Sequence, residues 1–360
     1  MIGIEEYIKK ANEQSASDVH LVAGIPAKYR VDGVICNIEQ ECLDDKKCRE
    51  IAKKLAGENF EMLEAVGEID MAVTVSNVRC RVNLFRQQGH YSAAIRLLKD
   101  KIPELETLGL PDVVKEFTQY KQGLVLITGE TGSGKSTTLA AILNTINHTK
   151  SLHILTLEDP VEYIYQPEKC IINQREIGKD TMSFAAGLRA ALREDPDVIL
   201  VGEMRDLDTI QTALTAAETG HLVFGTVHTN SAADSIDRIV DVFPAERQQQ
   251  IRLQLSMTLK AVLSQQLLPR KNQQGRVLAC EVMKTDDAIR NLIREGKTPQ
   301  IQNAIQTTGS IGNILMERAV QNLYRNGTIS LETYEEAAHT PLTPQKGIMP
   351  SAQSPRGFMR

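Results

Sequence analysis

Residues 124–143 constrain this chain more than any other stretch. Four apolar residues, Leu124-Val125-Leu126-Ile127, lead into Gly129-Glu130-Thr131-Gly132-Ser133-Gly134-Lys135-Ser136, and a helical pattern, Thr138-Leu139-Ala140-Ala141-Ile142-Leu143, follows. Glycines at this spacing, between a strand and a helix, let backbone N–H groups turn inward around phosphate oxygens that side chains would otherwise keep away. The helix N-terminus adds partial positive charge. The pattern predicts that Gly129, Thr131, Gly132, Ser133, Gly134, Lys135, Ser136 and Thr137 hold a nucleoside triphosphate. Lys135 is placed to reach the β- and γ-phosphates, and Ser136 to bind Mg²⁺. ATP and Mg²⁺ are therefore the expected ligands.

The rest of the chain divides around this loop. From residue 123 onward, apolar strands at 124–128, 153–157, 198–201 and 222–226 alternate with helical patterns at 135–147, 183–192, 207–218 and 232–240. That alternation predicts an α/β fold with a parallel sheet covered on both faces. Residues 245–268 carry helical periodicity, 276–283 read as a strand, and the remainder as helix, with Ser330 as an N-cap. The first hundred residues differ. Helical patterns at 4–11, 44–55 and 60–66 are interspersed with strand-like segments at 18–22, 27–31, 69–75, 78–86 and 90–98, with a turn at Asp32-Gly33. This is a small α+β unit with a mainly antiparallel sheet. The expected organisation is a small domain over 1–98, a linker over 99–112, an ATPase domain over 113–339 and a disordered tail over 340–360. The tail is read from its four prolines and its lack of acidic residues.

Bulk properties narrow the function classes. A net charge of −5 gives no sign of a nucleic-acid surface. No uncharged apolar run approaches the ~20 residues that span a bilayer, and the N-terminus lacks the build of a signal peptide. A cytoplasmic location is expected. Cys36, Cys42, Cys48, Cys80, Cys170 and Cys280 form no C-x-x-C pair, so scattered thiols are expected rather than a zinc site.

Three further segments belong with the loop. The strand Val198-Ile199-Leu200-Val201 ends in Gly202-Glu203. An apolar strand ending in an acid places a carboxylate beside Mg²⁺. Gly202 occupies the position usually held by Asp, so Glu203 is left to hold metal-bound water, to align the attacking water, or both. Leu157-Glu158-Asp159-Pro160-Val161-Glu162 packs three carboxylates behind a strand, and Glu158 or Asp159 is able to orient water. Finally, His228 ends an apolar strand, where it is able to touch the γ-phosphate; His221, at its start, is expected at most to brace the site. Arg79, Arg81, Arg86 and Arg96 lie on strands of the small unit, and strand alternation puts Arg79 and Arg81 on one face.

Phosphate loop, Glu-Asp-Pro box, Val-Gly-Glu strand and paired-His box, in this order, resemble the secretion ATPases of type II secretion and type IV pili. The likeness runs from Ser17-Asp18-Val19-His20-Leu21 to about residue 326. Within that superfamily the chain is most similar to the retraction ATPases. It lacks the extra N-terminal domain and the paired-cysteine module of the assembly and secretion motors, and Ala288-Ile289-Arg290-Asn291-Leu292-Ile293-Arg294-Glu295-Gly296-Lys297 matches the retraction branch's C-terminal motif. The resemblance implies a PAS-like N-terminal domain, a RecA-like ATPase domain and a homohexameric ring. It also implies arginines that reach the nucleotide, aligned here with Arg81 and Arg96. Departures are Glu130 in place of the loop's proline and Pro299 in place of a histidine.

The expected function is a Mg²⁺-dependent hexameric ATPase powering pilus retraction. It would dock at the inner face of the cytoplasmic membrane on a platform protein and the pilin machinery. Catalytic roles fall to Glu203, Glu158, Arg81, Arg96 and His228, with Ser136 and Glu203 at the metal. Alternatives are a pilus extension, competence or DNA-transfer motor, or a silent regulatory ring subunit. The 288–297 helix has Ile289, Leu292 and Ile293 on one face. That face suits packing on the core, and the resemblance suggests a second task in coupling.

Overall fold

The computed structural model describes residues 3–31, 33–98, 101–272 and 275–338. Asp32 of the expected turn and the whole 340–360 tail lie outside the described residues. The first sheet is built from α1 (Ile4–Glu13), β1 (Asp18–Val22), β2 (Pro26–Val31), β3 (Val34–Cys42), α2 (Asp45–Ala56), α3 (Phe60–Val66), β4 (Glu68–Val75), β5 (Val78–Gln87) and β6 (His90–Leu97). Its six strands run in the order β3-β2-β1-β6-β5-β4, antiparallel throughout. Alternation along β5 buries Val78, Cys80, Val82 and Leu84 with Tyr7, Ile8, Ile51 and Leu55 of α1 and α2, and leaves Arg79, Arg81 and Asn83 on the opposite face.

The second sheet follows β7 (Gly123–Thr128), α4 (Lys135–Thr149), β8 (His153–Glu158), β9 (Ile171–Glu176), α5 (Phe184–Ala191), β10 (Val198–Val201), α6 (Leu207–Glu218), β11 (Leu222–Val227), α7 (Ala232–Asp241), α8 (Ala245–Thr258), β12 (Leu259–Pro269) and β13 (Arg276–Lys284). Helices α9 (Asp287–Glu295), α10 (Ile301–Thr307), α11 (Met316–Arg325) and α12 (Leu331–Ala338) complete the described chain. The strand order is β13-β12-β7-β11-β10-β8-β9, parallel except for β13. Every residue of β7, β10 and β11 is buried. One face packs α4 and residues 113–117 onto Val125, Ile127, Ile154 and Phe224. The other packs α5 to α9 onto Leu124, Leu126, Leu155 and Ile199. This is the expected α/β fold.

The expected helix over 245–268 is corrected: it stops at Thr258, and Leu259–Pro269 is strand β12 beside β7. Leu259, Ala261, Val262 and Leu263 are fully buried there. Pairing a strand into the open side of β7 satisfies that strand's backbone and overrides a local helical rhythm. Two strands carried no clear signal. β3 is largely exposed, and β9 is an edge strand rich in polar residues.

Helix starts match their capping residues. Ser183, Asp206, Ser231 and Asp286 accept from the backbone N–H three residues on, and Ser330 does the same for Thr333. In α9, Ile289 and Ile293 are fully buried and Leu292 is partly buried against the same core, so this face is packing surface. Asp287, Ala288, Asn291, Arg294 and Glu295 are the exposed residues of that helix and the ones open to a partner.

Candidate functional site

All four boxes end parallel strands on the same edge of the second sheet. The loop follows β7, the acidic box follows β8, Glu203 follows β10 and His228 follows β11. In open α/β sheets, ligands bind at the carboxyl ends of the strands where connections diverge.

The loop itself is shaped for an anion. Gly129 adopts φ 137°, and a Cβ there would lie 2.4 Å from Gln265 O and 2.6 Å from Ser133 Oγ. Gly132 and Gly134 also take positive φ, 81° and 97°. Ser133 Oγ is buried and has no hydrogen-bond partner, a cost that a phosphate oxygen would relieve. Lys135 Nζ donates to Gly129 O at 2.7 Å and Glu130 O at 2.9 Å. Burial lowers its pKa, opposed by the charges of Glu203, Glu162 and Glu130. Ser136 is exposed at the start of α4, and Thr137 Oγ1 lies 2.9 Å from the Tyr163 hydroxyl. Beside the loop, a cavity of about 310 Å³ is bounded by Thr131, Gln266, Leu268, Arg276 and residues of α12.

Glu203 Oε1 lies 3.0 Å from His228 Nε2 and is bonded by Arg205. Burial and the Lys135 charge hold the His228 pKa below its usual value, against the opposing pull of Glu203. Asn230 links this box to the loop, 3.4 Å from Glu130 Oε1. His221 lies at the other end of β11 and bonds Ala216 O at 3.0 Å, so it does not brace the site.

Gly202 explains why its strand lacks the usual Asp. A Cβ at this position would meet Leu157 O at 2.9 Å and Glu158 Cα at 3.3 Å. The backbones of the acidic box and the Glu203 strand touch there, with Gly202 N donating to Leu157 O at 2.8 Å. Glu158 accepts from Thr156 Oγ1 at 2.6 Å and Gln174 Nε2 at 3.2 Å. Desolvation pushes its pKa up to about 7 against these hydrogen bonds.

The arginines divide. Arg81 is held by Asp70 across the first sheet, with Nε 3.1 Å from Oδ2, and it lies within the electrostatic reach of Asp159 and Glu162. Arg96, its cross-strand neighbour, donates to Asp18 at 3.0 Å. Arg79, which the resemblance did not single out, is the one bonded to the acidic box: its Nε donates to Val161 O at 3.3 Å. The signal was present only as the shared face of Arg79 and Arg81.

The family model for type II/IV secretion system proteins matches residues 2–353. The chain belongs to that family. It is 48% identical over 340 residues to the type IV pilus retractation ATPase PilT of Pseudomonas aeruginosa, covering 94% of this chain and 98% of that protein. A twitching motility protein of Neisseria gonorrhoeae is 50% identical over 272 residues, 75% of this chain and 73% of that protein. Among solved structures, the pilus retraction motor PilT with bound ADP superposes with a TM-score of 0.88 at 49% identity, covering 95% of this chain and 98% of that one. The ATPase DotB of Legionella pneumophila gives 0.81 at 30% identity, covering 92% and 94%.

Proposed function

We propose that this protein is a Mg²⁺-dependent ATPase that powers type IV pilus retraction as a homohexamer. The observation that carries the reading is the meeting of the phosphate loop, Glu158, Glu203 and His228 on one sheet edge, in a chain 48% identical over 94% of its length to a retraction ATPase. The proposed division is a small domain over 1–98, a hinge over 99–112 and the ATPase domain over 113–339. Among the described residues no helix is long and apolar enough to cross a membrane. A cytoplasmic protein docked on an inner-membrane platform protein and the pilin machinery fits this reading.

In the reaction, the loop amides and Lys135 bind the phosphates, with Gly129, Thr131, Gly132, Ser133, Gly134 and Thr137 shaping the cradle. The Ser136 hydroxyl and Glu203 carboxylate are hard oxygen donors suited to Mg²⁺, which would supply charge neutralisation at the β- and γ-phosphates. His228 sits beside one Glu203 oxygen, leaving the other to align water. Glu158, with a pKa near the working pH, takes the water's proton. Arg81 and Arg96 leave Asp70 and Asp18 to stabilise charge on the transferred phosphoryl group.

The Glu158 assignment fixes a pH dependence. A base must be deprotonated, so kcat should fall as pH drops through about 7. Its pKa is raised in the folded state, so the unfolded chain loses this proton first and stability declines as pH rises from about 4.5 to about 7. Glu158→Gln should remove the kcat limb, and its melting temperature relative to wild type should be higher at pH 8 than at pH 5. An unchanged limb in the variant would move the base role elsewhere.

The whole reading is tested by steady-state ATP hydrolysis with Mg²⁺, recorded with oligomeric mass, followed by gene deletion. The expected results are turnover by a hexamer, and deletion cells that carry pili but do not retract them. Pilus-free deletion cells would favour an extension motor. An ATP-binding hexamer without turnover would favour a regulatory subunit.

A further inference from the structure

Arg79 joins the first sheet to the acidic box. Its Nη2 donates to Glu176 Oε2 at 2.9 Å, and its Nε to Val161 O at 3.3 Å. The two side chains are only 15% and 9% exposed, so the pair sits largely out of water. Glu176 Oε2 also accepts from Val161 N at 3.2 Å. Arg79 therefore grips one peptide of the acidic-box loop and the carboxylate that already holds that loop.

Both anchor points lie next to the chemistry. Glu176 ends β9 in register with Glu158 at the end of β8, and Ile177 N donates to Glu158 O at 2.9 Å. The loop held at Val161 continues to Tyr163, whose carbonyl accepts from Gln174 Nε2 at 2.8 Å, the same nitrogen that donates to Glu158 Oε1 at 3.2 Å. The Tyr163 hydroxyl lies 2.9 Å from Thr137 Oγ1, one residue beyond Ser136. A continuous set of hydrogen bonds thus runs from β5 through Arg79 to Glu158 and to the first turn of α4.

We propose that Arg79 is a positioning residue for ATP hydrolysis: by gripping Val161 and Glu176 it holds Glu158 and the Tyr163–Thr137 contact in place, so that productive geometry depends on where the first sheet sits. This rests on the ATPase reading and on the role assigned to Glu158. Arg79 touches neither nucleotide-loop atoms nor the Glu158 carboxylate itself. The guanidinium meets the carbonyl and the carboxylate through separate N–H groups held in one rigid plane; a lysine supplies the charge and donors without that fixed fork.

The experiment measures kcat, KM for ATP, affinity for a fluorescent ATP analogue and melting temperature on the full chain, for wild type, Arg79→Met, Arg79→Lys and Glu176→Gln. Misplacing a catalytic group by an ångström is enough to lower kcat by about 10–100-fold, and that is the fall expected for Arg79→Met. KM and analogue affinity should change by less than about threefold, because the phosphate loop is untouched. Arg79→Lys should recover part of kcat. The double variant Arg79→Met with Glu176→Gln should lose no more than Arg79→Met alone, since the partners act as a unit. A folded Arg79→Met with kcat within about twofold of wild type overturns the inference, as does loss of affinity in proportion to kcat. If Arg79→Met does not fold, Arg79→Lys and Glu176→Gln carry the same test. A wild-type protein without turnover overturns the ATPase reading and this inference with it. An active wild type with indifferent Arg79 variants overturns this inference alone.

Discussion

Lys135→Ala is expected to lower kcat/KM for ATP by at least about three orders of magnitude, with nucleotide affinity falling alongside turnover. The ammonium is already inside the loop, on the carbonyls of Gly129 and Glu130. Burial lowers its pKa while the charges of Glu203, Glu162 and Glu130 oppose that shift, so its surroundings are partly dry and negative. Alanine removes the charge and leaves the loop amides as the remaining donors. Steady-state hydrolysis and equilibrium binding of ATP check the result. Wild-type turnover in this variant would show the site assignment to be wrong.

Glu203→Gln should separate binding from chemistry. The amide keeps the size of the side chain and loses its charge, so ATP should still bind while turnover falls by about 10²–10⁴. The reason lies in its partners. Arg205 bonds this carboxylate and His228 lies 3.0 Å from it, which leaves little freedom for a substitute to adapt. His228→Ala should be milder, since it removes the neighbouring group and leaves the acid. Single-turnover hydrolysis on pre-bound ATP distinguishes the two. A Glu203→Gln protein that hydrolyses at the wild-type rate would return Glu203 to the status of a solvated acid at a strand end.

Much of this arrangement is visible in the sequence because the core strands obey simple rules. β7, β8, β10 and β11 are short apolar runs, buried on both faces, and each is followed directly by a chemically marked segment. The secretion-ATPase reading made from those segments, narrowed to the retraction branch by the 288–297 motif and the missing extra modules, agrees with the named relatives in Pseudomonas and Neisseria. What stayed hidden depended on neighbours distant along the chain. β9 reads as polar because it is an edge strand, and β12 reads as helix because only its place beside β7 makes it extended. Arg79 and Arg81 are equivalent in any one-dimensional pattern. Their difference arises from partners 97 residues away in one case and 11 in the other. The coupling suggested for Ile289 and Leu292 met a similar limit, since periodicity marks an apolar face without saying what covers it.

The bare Cα at Gly202 limits the charge that β10 can bring to this edge of the sheet. With backbone atoms of Leu157 and Glu158 inside the space of even a methyl group, no carboxylate can be accommodated at that strand position. A strand ending in two adjacent acids would bring both to one ion. Here β10 can supply only Glu203, and further acids come from other segments: Glu158 from the neighbouring strand end, Glu162 from its loop and Glu130 from the phosphate loop. Glu203 and Glu158 are thereby carried by different loops whose backbones rub against each other. A side chain at position 202 would therefore have to push the two loops apart.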